Sequence, residues 1–463
     1  MRLENILASA SGKDKHRSSA WTARLVALVL TISLLAAMTG CGSDEPDKII
    51  RPADYGDYGS DFAHDFAQEW PNRTPGSVQE KQAAEAIETA FLDLGYEPEV
   101  QAFTYIGASS EVISSQNVIV RIPGTGFTVA DGEGETSEVR KTVVVGAHYD
   151  VSVTAEQAEA ARLEQEQLEE TTATETEAET VDEDEDEGEA TETEPDSLYT
   201  EIELPIPTLD EFDGIHNNAS GVGVLLTTAK QLKSFKPGYD IVIVAFGAGC
   251  DGFAGSRAFT AALEPEEIES IDVMYNVDGI YAGDKVYAHS GQNSVLGTDR
   301  KSYEKRRKLY EATDVYYENE LYTNNLFALY TNQSGIKVPW GDLERGQTAV
   351  YREWTRSESD HTPFDQLGIP IVFFQSYDYD ADVVENIKES SNPAFAATNG
   401  VITGTAFDSS EYLSSLFEQS QSSAVSVRDE RTSVDILARR INNVAFIIEG
   451  AIKKGLHNAV SEE

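Results

Sequence analysis

The chain has 463 residues, of which 81 are Asp or Glu and 35 are Lys or Arg, so its formal net charge is −46 at neutral pH. This excess of negative charge disfavours binding to nucleic acid, or to an anionic membrane surface, through bulk electrostatics. The length allows two average domains, or one large α/β domain with tails and an insertion.

The first residues of the chain are typical of a targeting segment. Basic residues between positions 13 and 24 precede a mostly apolar run from Leu25 to Met38. The run leads into Thr39-Gly40-Cys41, which resembles the lipobox of bacterial lipoproteins, where Cys41 would carry the lipid. A plain transmembrane anchor is the alternative, although about 14 apolar residues are short for a spanning helix, which needs roughly 20. The sequence therefore predicts a signal peptide over residues 1–40, a lipid anchor on the extracytoplasmic side of the cell membrane, and a polar tether over residues 41–58.

An α/β domain is predicted over residues 59–455. An amphipathic pattern from Val78 to Leu94 predicts the first helix. Five runs rich in Val, Ile and Phe predict strands buried on both faces, namely Asn117–Ile122, Thr142–Ala147, Ile241–Phe246, Ile271–Val277 and Pro370–Phe374. Helical patterns separate several of these runs, most clearly at Asn218–Leu232 and Thr432–Lys454. The order predicts a three-layer sandwich, with helices on both faces of a mixed, mostly parallel central sheet.

The segment from residue 155 to 197 differs from the rest of the domain. Between residues 156 and 196 there are 19 acidic residues and one arginine, a net charge of −18, which leaves −28 for the remainder of the chain. The segment has almost nothing to bury and lacks the spacing of a specific calcium loop, so we interpret it as a disordered acidic insertion. Residues 290–354, rich in Tyr, Asn and basic residues, are interpreted as a possible lid, and residues 456–463 as a tail.

Five short stretches carry residues suited to a metal centre, namely Gly146–Asp150, Gly214–Gly221, Phe246–Gly252, Asn276–Gly279 and Ser359–Phe364. Ligands gather beyond the carboxyl ends of the strands in an open α/β sheet, and His148, Cys250 and Asp278 each follow a predicted strand. Asn217 stands at the head of a predicted helix, and His361 opens another segment. A single histidine after a strand is most often an ordinary loop residue, but the joint spacing predicts that these five side chains converge, as in a two-metal hydrolase.

On these residues the chain resembles, over roughly residues 60–455, the zinc aminopeptidase family that includes bacterial leucyl aminopeptidases, glutamate carboxypeptidase, glutaminyl cyclases and the transferrin receptor. The family pattern is His-x-Asp, Asp-Asn-Ala-Ser-Gly, a Glu-Glu pair before Gly-Leu-x-Gly-Ser, a later Asp, and Ser-Asp-His-x-x-Phe. The matching residues are His148, Asp150, Asn218–Gly221, Gly252–Ser256, Asp278 and His361. The resemblance implies one metal site with His148 and Asp278 as ligands, a second site with Cys250 and His361, and Asn217 as a shared ligand. It also implies that Asp150 orients the ring of His148 from outside the metal's own ligand set.

Three positions depart from that pattern. The bridging Asp of the family falls on Asn217, its catalytic Glu on Gly249, and its second-metal Glu on Cys250. A neutral amide cannot compensate the repulsion between two cations. Gly249 has no side chain to carry a proton, and loss of a general base typically costs about 10²–10⁴-fold in rate.

The third change is chemically milder. Cys250 can bind zinc as a thiolate, although it could equally be a small buried residue. Cys250 and Cys41 are the two cysteines of the sequence, so a lipid on Cys41 leaves no internal disulfide. We therefore expect at most one zinc ion, weakly bound, or no metal. Asp251 and Asp213 are alternative carboxylates if the loops are shifted, although the matching Gly252 and Gly255 argue for an unchanged register.

These observations favour a membrane-anchored, extracytoplasmic, noncatalytic relative of the zinc aminopeptidases that keeps its cleft for a peptide or protein ligand. The first alternative is an active metallo-exopeptidase that removes N-terminal residues of peptides with an atypical zinc site, for which a mononuclear form is one option. The second is a structural envelope protein whose acidic insertion is the working part. None of the three predicts a nucleic-acid partner.

Overall fold

The computed structural model describes residues 50–107, 110–130, 134–152, 204–295, 300–324, 327–331, 335–337, 348–350, 353, 355, 357–380, 386–424 and 435–457. The predicted signal peptide, Cys41 and the whole acidic insertion lie outside these residues, as does most of the predicted tail. The described residues that follow Ile50 belong to one compact unit. None of their helices combines the length and the apolar character needed to cross a bilayer.

The strands of the described residues are β1 (Glu99–Ile106), β2 (Val112–Ile122), β3 (Phe127–Ala130), β4 (Thr136–Val139), β5 (Thr142–His148), β6 (Asp240–Phe246), β7 (Ile271–Val277), β8 (Lys285–His289), β9 (Leu329–Tyr330), β10 (Gly335–Lys337), β11 (Thr348–Val350) and β12 (Ile371–Tyr377). Eight of them form the central sheet in the order β1-β2-β6-β5-β7-β12-β8-β9. The four central strands β6, β5, β7 and β12 are parallel to one another. The pairs β1–β2, β2–β6 and β12–β8 are antiparallel, and β8 pairs in parallel with the edge strand β9. The predicted mixed, mostly parallel sheet is confirmed.

Alternation along the central strands explains why both faces are covered. In β5, Val143 and Val145 belong to the main hydrophobic core, whereas Val144 belongs to a second core on the opposite face. Successive strand residues point to opposite faces, so a strand with two apolar faces needs helices on each side.

The helices are α1 (Tyr58–Glu69), α2 (Val78–Asp93), α3 (Ser220–Leu232), α4 (Ala254–Ala261), α5 (Pro265–Ser270), α6 (Arg300–Glu318), α7 (Leu321–Asn324), α8 (Thr362–Gln366), α9 (Ser410–Ala424) and α10 (Ile436–Lys454). Helices α1, α2, α3, α6, α9 and α10 contribute to the main core, and α4 and α8 cover the opposite face through Phe259 and Phe364. The predicted three-layer α/β sandwich is therefore confirmed, and each predicted strand and helix exists within a few residues of its expected ends.

Two interpretations of the sequence need correction. The fold begins before residue 59, because Pro52–Tyr55 forms a short 3₁₀ turn and the buried hydroxyl of Tyr55 donates a hydrogen bond to Glu449 of α10. The segment interpreted as a lid contains α6, whose Leu309 and Val315 lie in the main core. Periodic apolar residues in a highly charged helix gave too weak a signal to reveal this packing.

Candidate metal centre

Three of the predicted ligands follow the central strands of the sheet. His148 is the last residue of β5, Cys250 lies four residues after β6, and Asp278 directly follows β7. Because these strands are parallel neighbours, their carboxyl ends meet at one edge. Nδ1 of His148 lies 3.8 Å from Sγ of Cys250, and Nε2 of His148 lies 3.3 Å from Oδ1 of Asp278. The structure thus brings these three side chains together.

The imidazole ring of His148 is buried and contacted at both nitrogens. Nδ1 lies 3.1 Å from the carbonyl oxygen of Asp150 and 3.3 Å from its Oδ1. Burial by itself lowers the pKa of His148, but Cys250 and Asp278 outweigh burial and hold that pKa well above its ordinary value. Burial likewise raises the pKa of Asp278, but His148 and a hydrogen bond from Ser359 outweigh it and bring that pKa below its ordinary value. His148 and Asp278 therefore form an ion pair in which the ring is buried and the carboxylate is partly exposed to the solvent.

Asn217 contacts the centre as a hydrogen-bond donor. Its side-chain nitrogen donates to Oδ1 of Asp278, the oxygen that also faces His148. The hydroxyl of Ser359 donates to the other oxygen of Asp278 at 2.7 Å. An amide that donates to a predicted metal ligand occupies that ligand, so Asn217 both fails to bridge two cations and competes for the carboxylate that would bind one.

Gly249 lies where the polypeptide backbone packs directly against His148. A Cβ atom added at Gly249 would lie 2.3 Å from Cβ of His148 and 3.1 Å from Oδ2 of Asp360. The backbone nitrogens of Gly249 and Cys250 donate to the two oxygens of Asp150 at 2.8 and 2.9 Å, which fixes this loop against β5. The loop therefore has no room for a catalytic glutamate in its present position.

The remaining predicted ligand, His361, precedes α8 and is buried. Its ring packs against Phe373 of β12 with the centroids 4.5 Å apart. Burial lowers the pKa of His361 to about 4. The neighbouring Asp360 is completely buried, and burial raises its pKa to about 7. Sequence reasoning missed Asp360, which brings a carboxylate beside Gly249.

One set of potential ligands lies close enough to share an ion. The ligand atoms of His148, Asp150 and Cys250 lie within 4.8 Å of one another, and in the described part of the chain this is the only group of three or more His, Cys, Asp or Glu residues with that spacing. Burial and the neighbouring Asp150 raise the pKa of the Cys250 thiol to about 12, so the thiol is not poised as a free nucleophile. Asp150 thus stands among the potential ligands, although the resemblance implied only an orienting role for it.

The two alternative carboxylates do not enter this cluster. Asp213 accepts hydrogen bonds from the backbone nitrogens of Ile215 and Ser410, so its side chain stabilises the turn before α3. Asp251 lines a groove beside Tyr105 of β1 on the other side of the loop. Neither Asp213 nor Asp251 therefore replaces the acids that the family pattern has at positions 217, 249 and 250.

Sequence reasoning also missed a buried arginine that joins two loops of the centre. Arg73 is fully buried and donates hydrogen bonds to the carbonyl oxygens of Tyr149, Asp213 and Gly214 at 2.6, 2.7 and 2.8 Å. Tyr149 lies between His148 and Asp150, and Gly214 precedes the turn that carries Asn217. Arg73 therefore fixes the position of both loops. Its place just before α2 is the one feature of the sequence that could have indicated this role.

Glu80 performs a similar task on the opposite side. The Ser77-x-x-Glu80 spacing is typical of a helix capping box, and the side chain of Ser77 does accept from the backbone nitrogen of Glu80. The carboxylate of Glu80, however, also accepts from the hydroxyl of Ser115 and from the backbone nitrogen of Ala248. Burial raises the pKa of Glu80 to about 7. Glu80 thereby joins α2 to the loop that carries Gly249.

A cleft opens beside the cluster. It is a cavity of about 360 Å³, and the described residues of its lining include Asn217, Asp278, Glu358 and Glu389 and no Lys or Arg. Behind Glu389 lies His216, which is buried with its Nε2 3.6 Å from Oε1 of that glutamate. Three carboxylates in the described part of the wall favour a cationic group in the ligand.

The sequence of the chain matches a known protein family. The model of peptidase family M28 matches residues 128–402, more than half of the chain. The chain belongs to peptidase family M28. The match spans β3 to the loop before α9, so it includes each of the metal-centre stretches predicted from the sequence.

Two curated proteins share modest identity with the chain. The alkaline phosphatase isozyme conversion protein of Escherichia coli K12 is 22% identical over 348 residues, which cover 74% of this chain and 79% of that protein. Aminopeptidase YwaD of Bacillus subtilis is 27% identical over 172 residues, 37% of this chain and 30% of YwaD.

Solved structures resemble the chain at the level of the fold. The zinc aminopeptidase BSAP of Bacillus subtilis is 14% identical, with a TM-score of 0.47 over 87% of this chain and 97% of that one. A glutaminyl cyclase from an Acidobacteriales bacterium is also 14% identical, with a TM-score of 0.47 over 86% of this chain and 94% of that one.

Membership of family M28 suggests zinc, and the residues present meet the needs of a zinc centre only in part. A two-zinc centre does not fit these residues, because Asn217 donates a hydrogen bond to Asp278 instead of bridging two ions. In addition, His361 does not belong to the group of ligand atoms that the described residues form around Cys250. A single ion does fit the donor set of His148, Asp150 and Cys250, whose nitrogen, oxygen and sulfur atoms are all zinc ligands in proteins.

Proposed function

We propose that this M28 chain is a noncatalytic binding protein that keeps the peptidase cleft for a peptide or protein ligand outside the cytoplasm. Ordinary aminopeptidase turnover needs a general base beside a metal-bound water. The observation that carries the proposal is the packing at Gly249, where a Cβ atom would lie 2.3 Å from Cβ of His148. The base is thus lost together with the space that it would occupy.

The polar residues that line the cleft support a binding role. Asp278, Glu358 and Glu389 line one cavity, and the described residues of its wall include no Lys or Arg. Such a cavity suits a protonated amine, so the ligand that we propose is a peptide or protein with a free N-terminus. An anionic ligand would be repelled by these carboxylates.

Two measurements on the purified full chain test this function. With zinc supplied, hydrolysis of aminoacyl 4-nitroanilides should stay at the uncatalysed background; turnover at an ordinary enzymatic rate, roughly 1 s⁻¹ or faster, would refute the proposal. Peptides with a free N-terminus should bind at least about tenfold more tightly than their N-acetylated forms. Glu358→Gln should reduce that preference, whereas Glu111→Gln, at an exposed position far along the chain, should not change it.

A second function deserves a test because Asp360 lies beside Gly249. Its Oδ2 is 3.1 Å from the point where a Cβ at Gly249 would stand, so this carboxylate is a candidate proton acceptor in an atypical metallo-exopeptidase. If aminoacyl substrates are hydrolysed, Asp360→Asn should abolish the activity. The combined reversion Asn217→Asp, Gly249→Glu and Cys250→Glu should create activity only if the chain is a degenerate enzyme whose loop can be displaced.

We also propose that the protein is anchored by lipid at Cys41 on the extracytoplasmic side of the cell membrane. The support is the sequence from Leu25 to Cys41, with basic residues before an apolar run and small residues before the cysteine. Metabolic labelling with a radioactive fatty acid should mark the wild-type chain and not Cys41→Ser. Equal labelling of both chains would remove the support for this anchor.

A further inference from the structure

We propose that this chain holds a single zinc ion in a ligand set of its own, formed by Nδ1 of His148, a carboxylate oxygen of Asp150 and Sγ of Cys250, with Asp278 as the residue that orients the ring. The family resemblance assigns the opposite roles to the two aspartates. This inference shares one premise with the proposed function, which is that the centre does not fit two zinc ions. It rests on the proposed function in no other respect.

The distances between the ligand atoms suit one tetrahedral ion. Zinc bonds of about 2.0–2.1 Å to nitrogen or oxygen and about 2.3 Å to sulfur, at tetrahedral angles, separate nitrogen from sulfur by roughly 3.6 Å and nitrogen from oxygen by roughly 3.4 Å. Nδ1 of His148 lies 3.8 Å from Sγ of Cys250 and 3.3 Å from Oδ1 of Asp150. The three side chains are thus nearly in place before any ion is bound.

Position relative to the thiol decides which aspartate can share an ion with Cys250. Asp150 belongs to the group whose ligand atoms lie within 4.8 Å of one another, and Asp278 does not. Oδ1 of Asp278 instead faces the side-chain nitrogen of Asn217 and Nε2 of His148, on the other side of the ring. The two oxygens of Asp150 accept backbone hydrogen bonds from Gly249 and Cys250, and Oδ1 lies 3.3 Å from Nδ1 of His148. Asp150 is therefore the carboxylate that can ligate, held in place by the loop that carries the thiol.

The contact between His148 and Asp278 completes the arrangement. A metal-bound histidine usually donates its other ring N–H to a carboxylate, which fixes the tautomer and the direction of the ring. With Nδ1 on the ion, Nε2 carries the proton and lies 3.3 Å from Oδ1 of Asp278. The substitution by Asn217 supports this role, because its amide holds the same oxygen in place.

The thiol of Cys250 determines the kind of metal. Thiolate ligands favour zinc and other soft metals over magnesium or calcium, and binding displaces the thiol proton. Three protein ligands leave a fourth position on the ion for water or for a group of the ligand. Without a side chain at Gly249 to accept a proton, an ion here would bind a ligand rather than drive hydrolysis.

The test uses the purified full chain and Cd²⁺ as the probe. We expect one Cd²⁺ per chain and an ultraviolet thiolate-to-cadmium charge-transfer band. Cys250→Ser should abolish the band, and Asp150→Asn, which removes a ligand, should weaken binding by more than the roughly 10–100-fold that loss of a ring-orienting partner costs. Asp278→Asn should keep both the band and the stoichiometry at saturating metal, and His361→Ala should leave the affinity unchanged. Binding without the band, or loss of binding in His361→Ala with retention in Cys250→Ser, would overturn this ligand set.

A second measurement needs no variant and so does not depend on folding of the mutants. Zinc should slow alkylation of Cys250 in the wild-type chain by at least about tenfold, as measured by mass spectrometry of the peptide that contains it. Unchanged alkylation at saturating zinc would contradict the inference. The two proposals fail separately: peptide hydrolysis with one bound ion and a protected Cys250 would overturn only the noncatalytic function, whereas one ion without protection of Cys250 would overturn only the ligand set.

Discussion

The side-chain amide of Asn217 donates a hydrogen bond to Oδ1 of Asp278. At the position where the family pattern has an acid that would repel Asp278 unless metal ions lay between them, this chain has a neutral donor. The contact stabilises the centre without a bridged pair of cations, and it removes one carboxylate from the ligands of any ion that binds. One substitution of a single functional group therefore changes both the charge and the connectivity of the site.

The first prediction concerns Asn217→Asp. The new carboxylate would face Asp278 at hydrogen-bond distance, and two like charges in a partly buried site destabilise each other. In a chelating buffer, we expect the free energy of unfolding of the variant to be about 1–3 kcal/mol lower than that of the wild type. Added zinc should recover part of that loss, as measured by denaturant unfolding with and without metal. A variant that is as stable as the wild type in chelator would show that Asp278 is not engaged as described.

The second prediction concerns the packing of Gly249. Gly249→Ala places a methyl group against Cβ of His148, and overpacking of this kind typically costs about 1–3 kcal/mol or more. Gly252→Ala is the matched control in the same loop, because a Cβ there meets no atom within 4 Å and the cost comes only from its positive φ of 64°, about 1 kcal/mol. Thermal unfolding of both variants should show the larger loss at Gly249. Equal losses would indicate that the loop moves away easily.

The third prediction concerns Arg73. Lysine can reach only some of the carbonyl oxygens that the guanidinium satisfies, so Arg73→Lys leaves buried acceptors without a donor. We expect a loss of roughly 3 kcal/mol or more in the free energy of unfolding. Arg121→Lys is the control, because its ion pair with Glu99 is half exposed and the change should stay within about 0.5 kcal/mol. A small effect at both positions would refute the role given to Arg73.

The fourth prediction is a pH dependence that arises from Glu80. Burial raises the pKa of this carboxyl from 4.5 to about 7 in the folded chain. The folded state therefore binds the proton more tightly than the unfolded state, and the stabilisation is complete below pH 4.5 and lost as the pH rises through 7. Relative to Glu80→Gln, the wild type should lose up to roughly 3 kcal/mol of unfolding free energy across that window. Parallel stability profiles for the two chains would contradict a raised pKa at Glu80.

Much of the fold was predictable because its signals are local. The run Ile271–Val277 is apolar throughout because β7 is buried on both faces, and the structure has a strand with these same ends. The side chain of Ser77 caps α2, as a serine before a helical pattern should. By contrast, α6 was interpreted as part of a lid, because its charged residues hide the few side chains that it buries.

For the site, the sequence by itself determined which chemical groups the centre lacks. No folding of the chain can give Gly249 a carboxylate or Asn217 a negative charge. Only the tertiary structure decided which groups meet there. The hydrogen bonds of Asp150 and Asp278 come from donors far away in the chain, and the buried Arg73 and Glu80 act on loops that lie well over a hundred residues further on. Side-chain identity fixes what an atom can do, but hydrogen-bond partners and distances depend on which segments the folded chain packs together.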